Sequence, residues 1–174
     1  MGLHVRELAL IALLAAAPGL AAAADDWQAQ VGEALGKTGS ATPSGIYRVG
    51  LPRTDLIVTL DGVRLRPGFA LGGWLAFEKM GDQGMVMGDL VLAMDEVAPV
   101  MTKLAAGGID VTALHNHLLR NQPFTMYMHV LGHGDPVKLA VALHTALAES
   151  KTPLGAAATP SVPPEIDFDT AAVD

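Results

Sequence analysis

The chain contains no cysteine. That absence excludes disulfides, thiolate metal sites and lipid attachment through a cysteine, so an exported fold must be held by packing, with a bound metal as the one further aid. Basic residues are scarce, 11 Lys and Arg against 18 Asp and Glu. A net charge of −7 with no basic stripe excludes nucleic acid and anionic membrane surfaces as natural partners. No Walker phosphate loop, H-E-x-x-H helix or nucleophile motif occurs. What is abundant is apolar: 51% of residues are hydrophobic and 17% charged, too apolar for disorder. A length of 174 residues bounds one domain with a modest core.

The long apolar run lies at the start. LALIALLAAAPGL follows His4 and Arg6 and precedes AAAAD. This pattern predicts a secretory signal peptide over 1–24, cut after Ala23 or Ala24. The run is short for a membrane span, so an uncleaved anchor is the second reading and no stable membrane insertion is expected after cleavage. The expected location is periplasmic or secreted. Cleavage removes Arg6 and Glu7 and leaves the charge at −7. Residues 25–150 read as a single domain. Residues 151–174 read as a Pro/Ala-rich linker, with IDFDTAAVD as the possible start of a second domain.

Within the domain, Trp27, Val31 and Leu35 form one helical stripe, ended by Gly36 or Gly39. Strands are predicted over 46–53 and 55–67, the latter a hairpin about Asp61-Gly62. A second antiparallel pair, 72–80 and 83–93, flanks Gly81-Asp82. A helix follows over 95–108, capped by Asp95, with Pro99 in its first turn or so. Strand 109–119, a turn at RNQP and return strand 124–132 lead into a helix over 135–150, with Asp135 at its N-cap. Hairpin-linked strands with helices on one side make an α+β domain. Its sheet is antiparallel or mixed and has about six strands.

Four of the six histidines fall in TALHNHLLRNQPFTMYMHVLGHGDP. Side chains alternate across a strand, so His115 and His117 share a face. In the return strand Thr125, Tyr127, His129 and Leu131 share one face, while Phe124, Met126, Met128 and Val130 form an apolar face toward the core. With a turn centred near Gln122, opposed residues sum to 244. His115 then faces His129, His117 faces Tyr127, and three imidazoles converge. Such a set suits zinc, copper, nickel or iron over calcium or magnesium. The expected cofactor is a divalent transition metal, zinc first and copper second. With one position open, the set is that of a catalytic zinc.

Asp89 and Glu96 are the candidate acidic ligands, Glu96 also serving a helix dipole in its other reading. His133 is a candidate fourth ligand, proton shuttle, substrate contact or simple helix-entry residue. His144 reads as structural or exposed. Arg53 and Asp55 could bind an anionic substrate or pair with each other. The methionines read as core filler rather than copper ligands, because Met126 and Met128 point away from the histidines.

LPRTDLIVTLDGVRL, GGWLAFE, MVMGDLVLAMDEVAPVM, GIDVTALHNHLL and YMHVLGHGDPVKLA resemble the LppY/LpqO family of secreted bacterial proteins, over about residues 26–153. The resemblance implies export and domain boundaries, and longer relatives with two such domains. H-x-H followed by His129 is also similar to acetolactate decarboxylase and related zinc-binding domains. That similarity implies strand histidines on zinc completed by an acidic residue. MYM stands before His129 where those domains often carry a glycine pair.

Three functions stay open. The first is an exported metal-binding domain whose partner is a metal ion or small molecule. The second is a metal-dependent lyase or hydrolase, with Tyr127 or His133 as general acid/base and Arg53 as substrate clamp. The third is a non-catalytic envelope module.

Overall fold

The computed structural model describes residues 26–155. The signal-peptide reading of 1–24 and the second-domain reading of IDFDTAAVD, 166–174, lie outside the described residues. Helix α1 (Trp27–Leu35) begins where the Asp26 carboxylate accepts the Ala29 N–H at 3.3 Å and ends at Gly36, whose φ of 74° is left-handed. Then come β1 (Ser40–Ala41), β2 (Tyr47–Pro52), β3 (Thr59–Leu60), β4 (Val63–Arg64), β5 (Gly72–Met80) and β6 (Gln83–Ala93). Helix α2 (Met94–Ala106) leads to β7 (Asp110–His115), β8 (Asn121–Gln122), β9 (Thr125–Gly134) and α3 (Pro136–Leu147).

Six strands form one sheet in the order β1-β2-β5-β6-β9-β7, with every pairing antiparallel. The class is α+β. The alternation in each strand decides what lies on each side. Val49, Leu51, Leu75, Phe77, Val86, Leu90, Leu92, Met128 and Val130 point to the helices, where they bury against Val31, Leu35, Val100, Leu104, Leu139 and Leu143. Each such apolar side chain contributes about 1.5–3 kcal/mol on burial. Gly132 leaves room for the side-chain tips of Ile109 and Leu139, which a Cβ there would meet at 2.7 and 3.0 Å.

The opposite face is partly covered by a second sheet, β4-β3-β8. Its hairpin turns at Asp61-Gly62, with φ of 48° and 85°, the backbone that this pair of residues tolerates best. Beneath it Val58, Leu71, Val91 and Tyr127 form a smaller buried cluster. The remainder of this face is open, and the histidines stand at the boundary.

Several expectations change. The 55–67 hairpin is paired only at Thr59–Leu60 and Val63–Arg64, because it forms its own sheet with β8 instead of joining the large one. The predicted strand over 109–119 stops at His115. The RNQP turn is not a tight reversal: Asn121 and Gln122 pair with β3, so the chain leaves the large sheet before returning at Thr125. Ala93, not Asp95, is the N-cap of α2, since β6 runs into the helix without a loop. Pro99 therefore lies inside α2 rather than in its first turn. Residues 151–154, the start of the stretch read as a linker, pack on the body: the Lys151 N–H reaches Glu96 at 2.9 Å, the Pro153 carbonyl accepts from Lys37 at 3.0 Å, and Leu154 packs on the core. Among the described residues no helix is long and apolar enough to cross a membrane.

Candidate metal centre

His129 lies in β9 opposite Asp89 of β6 on one side and Ala113 of β7 on the other. His115, the last residue of β7, lies opposite Tyr127. Opposed residues there sum to 242, two less than the expected 244. A shift of two keeps parity, so His115 stays on the face of His129, as its diagonal neighbour rather than its direct partner. The predicted His115–His129 and His117–Tyr127 pairings are thus replaced, because the loop to β9 is a long excursion.

A β-bulge makes this geometry. Val111 pairs with Val130, yet Ala113 pairs with His129, so Thr112 has no opposite residue. Continued regularly from Val111, the strand would set His115 opposite Met126, on the helix side. The extra residue returns His115 to the open face, as bulges re-aim side chains.

The two Nε2 atoms of His115 and His129 stand 2.9 Å apart. Two ligands of one tetrahedral zinc lie roughly 3.3 Å apart when each Zn–N bond is about 2.0–2.1 Å. His117, just past the strand, completes the group: one ring nitrogen from each of the three histidines lies within 4.8 Å of the others. Its ring stacks on Tyr127 with centroids 3.8 Å apart and planes 7° from parallel. That platform orients a ring which is otherwise exposed.

Asp89 is the acidic neighbour. Its Oδ1 lies 3.9 Å from His129 Nε2, and its side chain is 16% exposed. The same Oδ1 is buried with no hydrogen-bond partner. Burial pushes the Asp89 carboxyl above its ordinary range, and the rings of His129, His117 and His115 pull it back only in part. A buried acceptor left unsatisfied is costly, and a cation held by the histidines would relieve it.

The remaining candidates lie in other settings. Tyr127 is close, but its hydroxyl donates to the Ala70 carbonyl. Burial raises its pKa, a bond with Thr125 lowers it less, and the Asp89 charge raises it further. His133 is four residues along β9 from His129, opposite Met85 and exposed, roughly 13 Å farther down the strand. His144 makes a 2.8 Å hydrogen bond from Nδ1 to the Leu35 carbonyl, the structural use expected of it.

Arg53 and Glu96 are not brought to the histidines. Arg53 is fully buried and grips Glu96 at 2.7 and 3.0 Å, Asp55 at 2.7 and 2.8 Å, and the Val91 carbonyl at 2.7 Å. These bonds occupy all five guanidinium N–H donors, so none is left for a substrate. Burial works against the Arg53 charge, yet the bonds from Asp55 and Glu96 outweigh it and raise its pKa. Burial likewise raises Glu96, but Arg53, Lys151 N–H and Ala93 N–H outweigh that and hold its pKa below the ordinary value. The Glu96 oxygens are committed to this network.

Trp74 was missed. It faces Asp89 across the β5–β6 pair and so belongs to the same rung as His129. The signal was the two-residue turn Gly81-Asp82, from which the register counts back directly to Trp74 and Asp89.

Fold and site define a class: an antiparallel α+β domain with a histidine cluster on the sheet face opposite its helices. Residues 29–149 match the model of a family described as Domain of Unknown Function (DUF1259), and the chain belongs to that family. No curated protein and no solved structure matches it.

Proposed function

We propose that this is an exported domain whose His115, His117 and His129 hold a divalent transition metal, zinc first and copper second, with Asp89 as acidic partner. The observation that supports it is the convergence of three ring nitrogens within 4.8 Å, beside a buried carboxylate oxygen that has no other partner. Borderline-soft imidazoles with one carboxylate are the donor set of zinc and its neighbours, not of calcium or magnesium. Export rests on the N-terminal sequence pattern alone, and the finer kinship with LppY/LpqO proteins rests on the motifs between residues 26 and 153.

A metal-dependent lyase or hydrolase resembling acetolactate decarboxylase is the second reading. It is favoured by the exposure of the site, His117 being exposed and the His129 side chain 44% exposed. A metal there would polarise a carbonyl or activate water. Asp89, the one carboxylate beside the rings, is then better situated to carry a proton than Tyr127 or His133. A non-catalytic envelope module is the outcome if no metal binds.

Elemental analysis of the mature protein, purified without a histidine tag, tests the proposal. About one equivalent of transition metal is expected, falling below roughly a tenth in the His115→Ala/His117→Ala double variant. Wild-type protein that stays below that level after reconstitution, or a double variant with full metal content, would refute the site.

A further inference from the structure

The rung that carries His129 runs across the open face as Gly50, Trp74, Asp89, His129 and Ala113, from β2 to β7. At its far end Arg48 stacks on Trp74, its guanidinium carbon 5.2 Å from the ring centroid. Among the described residues no carboxylate pairs with Arg48. This sets it apart from Arg53 and Arg120, which are both held in ion pairs. Gly50, beside Trp74, leaves open space: a Cβ there would meet nothing within 4 Å. An unneutralised, pre-oriented cation therefore stands on the same face as the histidines, in a protein whose net charge is −7.

Charge and spacing then identify what the site would take. A divalent ion on three neutral imidazoles with Asp89 leaves one net positive charge at the metal end. Arg48 supplies another at the Trp74 end. Two interstrand spacings separate Trp74 from His129, roughly 10 Å. Between the two ends, Trp74 and the half-exposed Met87 on the adjacent rung present apolar surface.

We propose that the site binds a small organic anion lying along this rung, with a metal-ligating head at the histidines and a carboxylate on Arg48, whose fork suits a planar anion. Arg48 is then a specificity residue and Trp74 its support. The inference rests on the metal-site reading above.

The experiment uses zinc-loaded protein and two matched probes, suberic acid monohydroxamate and octanohydroxamic acid. Both carry the same chelating head, and only the first ends in a carboxylate. Binding is measured by calorimetry and zinc content by elemental analysis, on wild type, Arg48→Ala and Arg48→Lys. The carboxylate probe is expected to bind wild type about tenfold tighter than its partner. Arg48→Ala should erase the preference, Arg48→Lys should keep part of it, and zinc content should stay unchanged in both. Equal affinities for the two probes in zinc-loaded wild type would overturn the anion subsite and leave the metal site standing. A preference that survives Arg48→Ala would overturn the role of Arg48. Wild type that takes up no zinc would overturn both readings.

Discussion

Arg53 shows at single-residue scale how a charged side chain becomes structural. It is buried without exposure, and two carboxylates and a carbonyl satisfy its donors. It ties the end of β2 to the junction of β6 and α2. Leaving a buried charge with no partner costs about 3–5 kcal/mol, and Asp55 still holds Arg53 when Glu96 is neutralised, so the loss here is the smaller part of that. Glu96→Gln is therefore expected to lower the urea midpoint at pH 7 by a corresponding amount. The pH dependence has a definite sign. Glu96 has a lowered pKa in the folded protein, so below its unfolded value, about 4.3, the unfolded chain binds more protons. Its stabilisation is present above that pH and is lost as pH falls through the lower folded value. Urea titrations between pH 7 and 3 should show this loss in wild type and a flatter profile in Glu96→Gln. Equal slopes would remove Glu96 from the account.

At the scale of elements, the β7 bulge governs the site. Leu114 points to the helix side and is 40% exposed, while its neighbour His115 points to the open face. Exchanging the two, Leu114→His with His115→Leu, keeps composition and changes only the face. Metal content should fall as far as in His115→Ala, with the far-UV spectrum and thermal midpoint near wild type. Undiminished metal in the exchanged protein would show that β7 does not set the geometry. Element types were legible because local chemistry specified them: the stripe of Trp27, Val31 and Leu35, the turns at Asp61-Gly62 and Gly81-Asp82, and the Asp135-Pro136 helix entry. The convergence of the histidines was legible by parity, which a register shift of two leaves intact. The bulge at Thr112 and the pairing of β8 with β3 were not. Both depend on residues distant in sequence, and no local pattern marks them. The Arg53–Asp55 pair was one of the two readings of LPRTDL, but nothing near that stretch reveals that Glu96 will come to meet Arg53 as well.

At the scale of the whole molecule, the helices and the smaller sheet divide the work. One face of the large sheet supplies the core, and the other holds a cluster of rings with an unsatisfied acid. Without disulfides, a metal at that cluster would add stability by mass action, about 2.7 kcal/mol at a hundredfold excess over Kd. For a domain of this size that corresponds to a rise in Tm on the order of 10 °C. Calorimetry of the chelator-treated protein with and without added zinc should show it. The same addition should leave the His115→Ala/His117→Ala double variant unmoved. An equal rise in both proteins would place the binding elsewhere.

Residues 151–154 run back against the helix side, where Lys37 and Glu96 receive them. The described chain therefore ends on the helix side of the sheet, away from the imidazole rings. A copy tethered to a bead or a sensor chip through a cysteine introduced at Gly155, where a Cβ meets nothing within 4 Å, would present its imidazole rings outward to the bulk solution. Such immobilisation leaves the approach of ions and small molecules unobstructed.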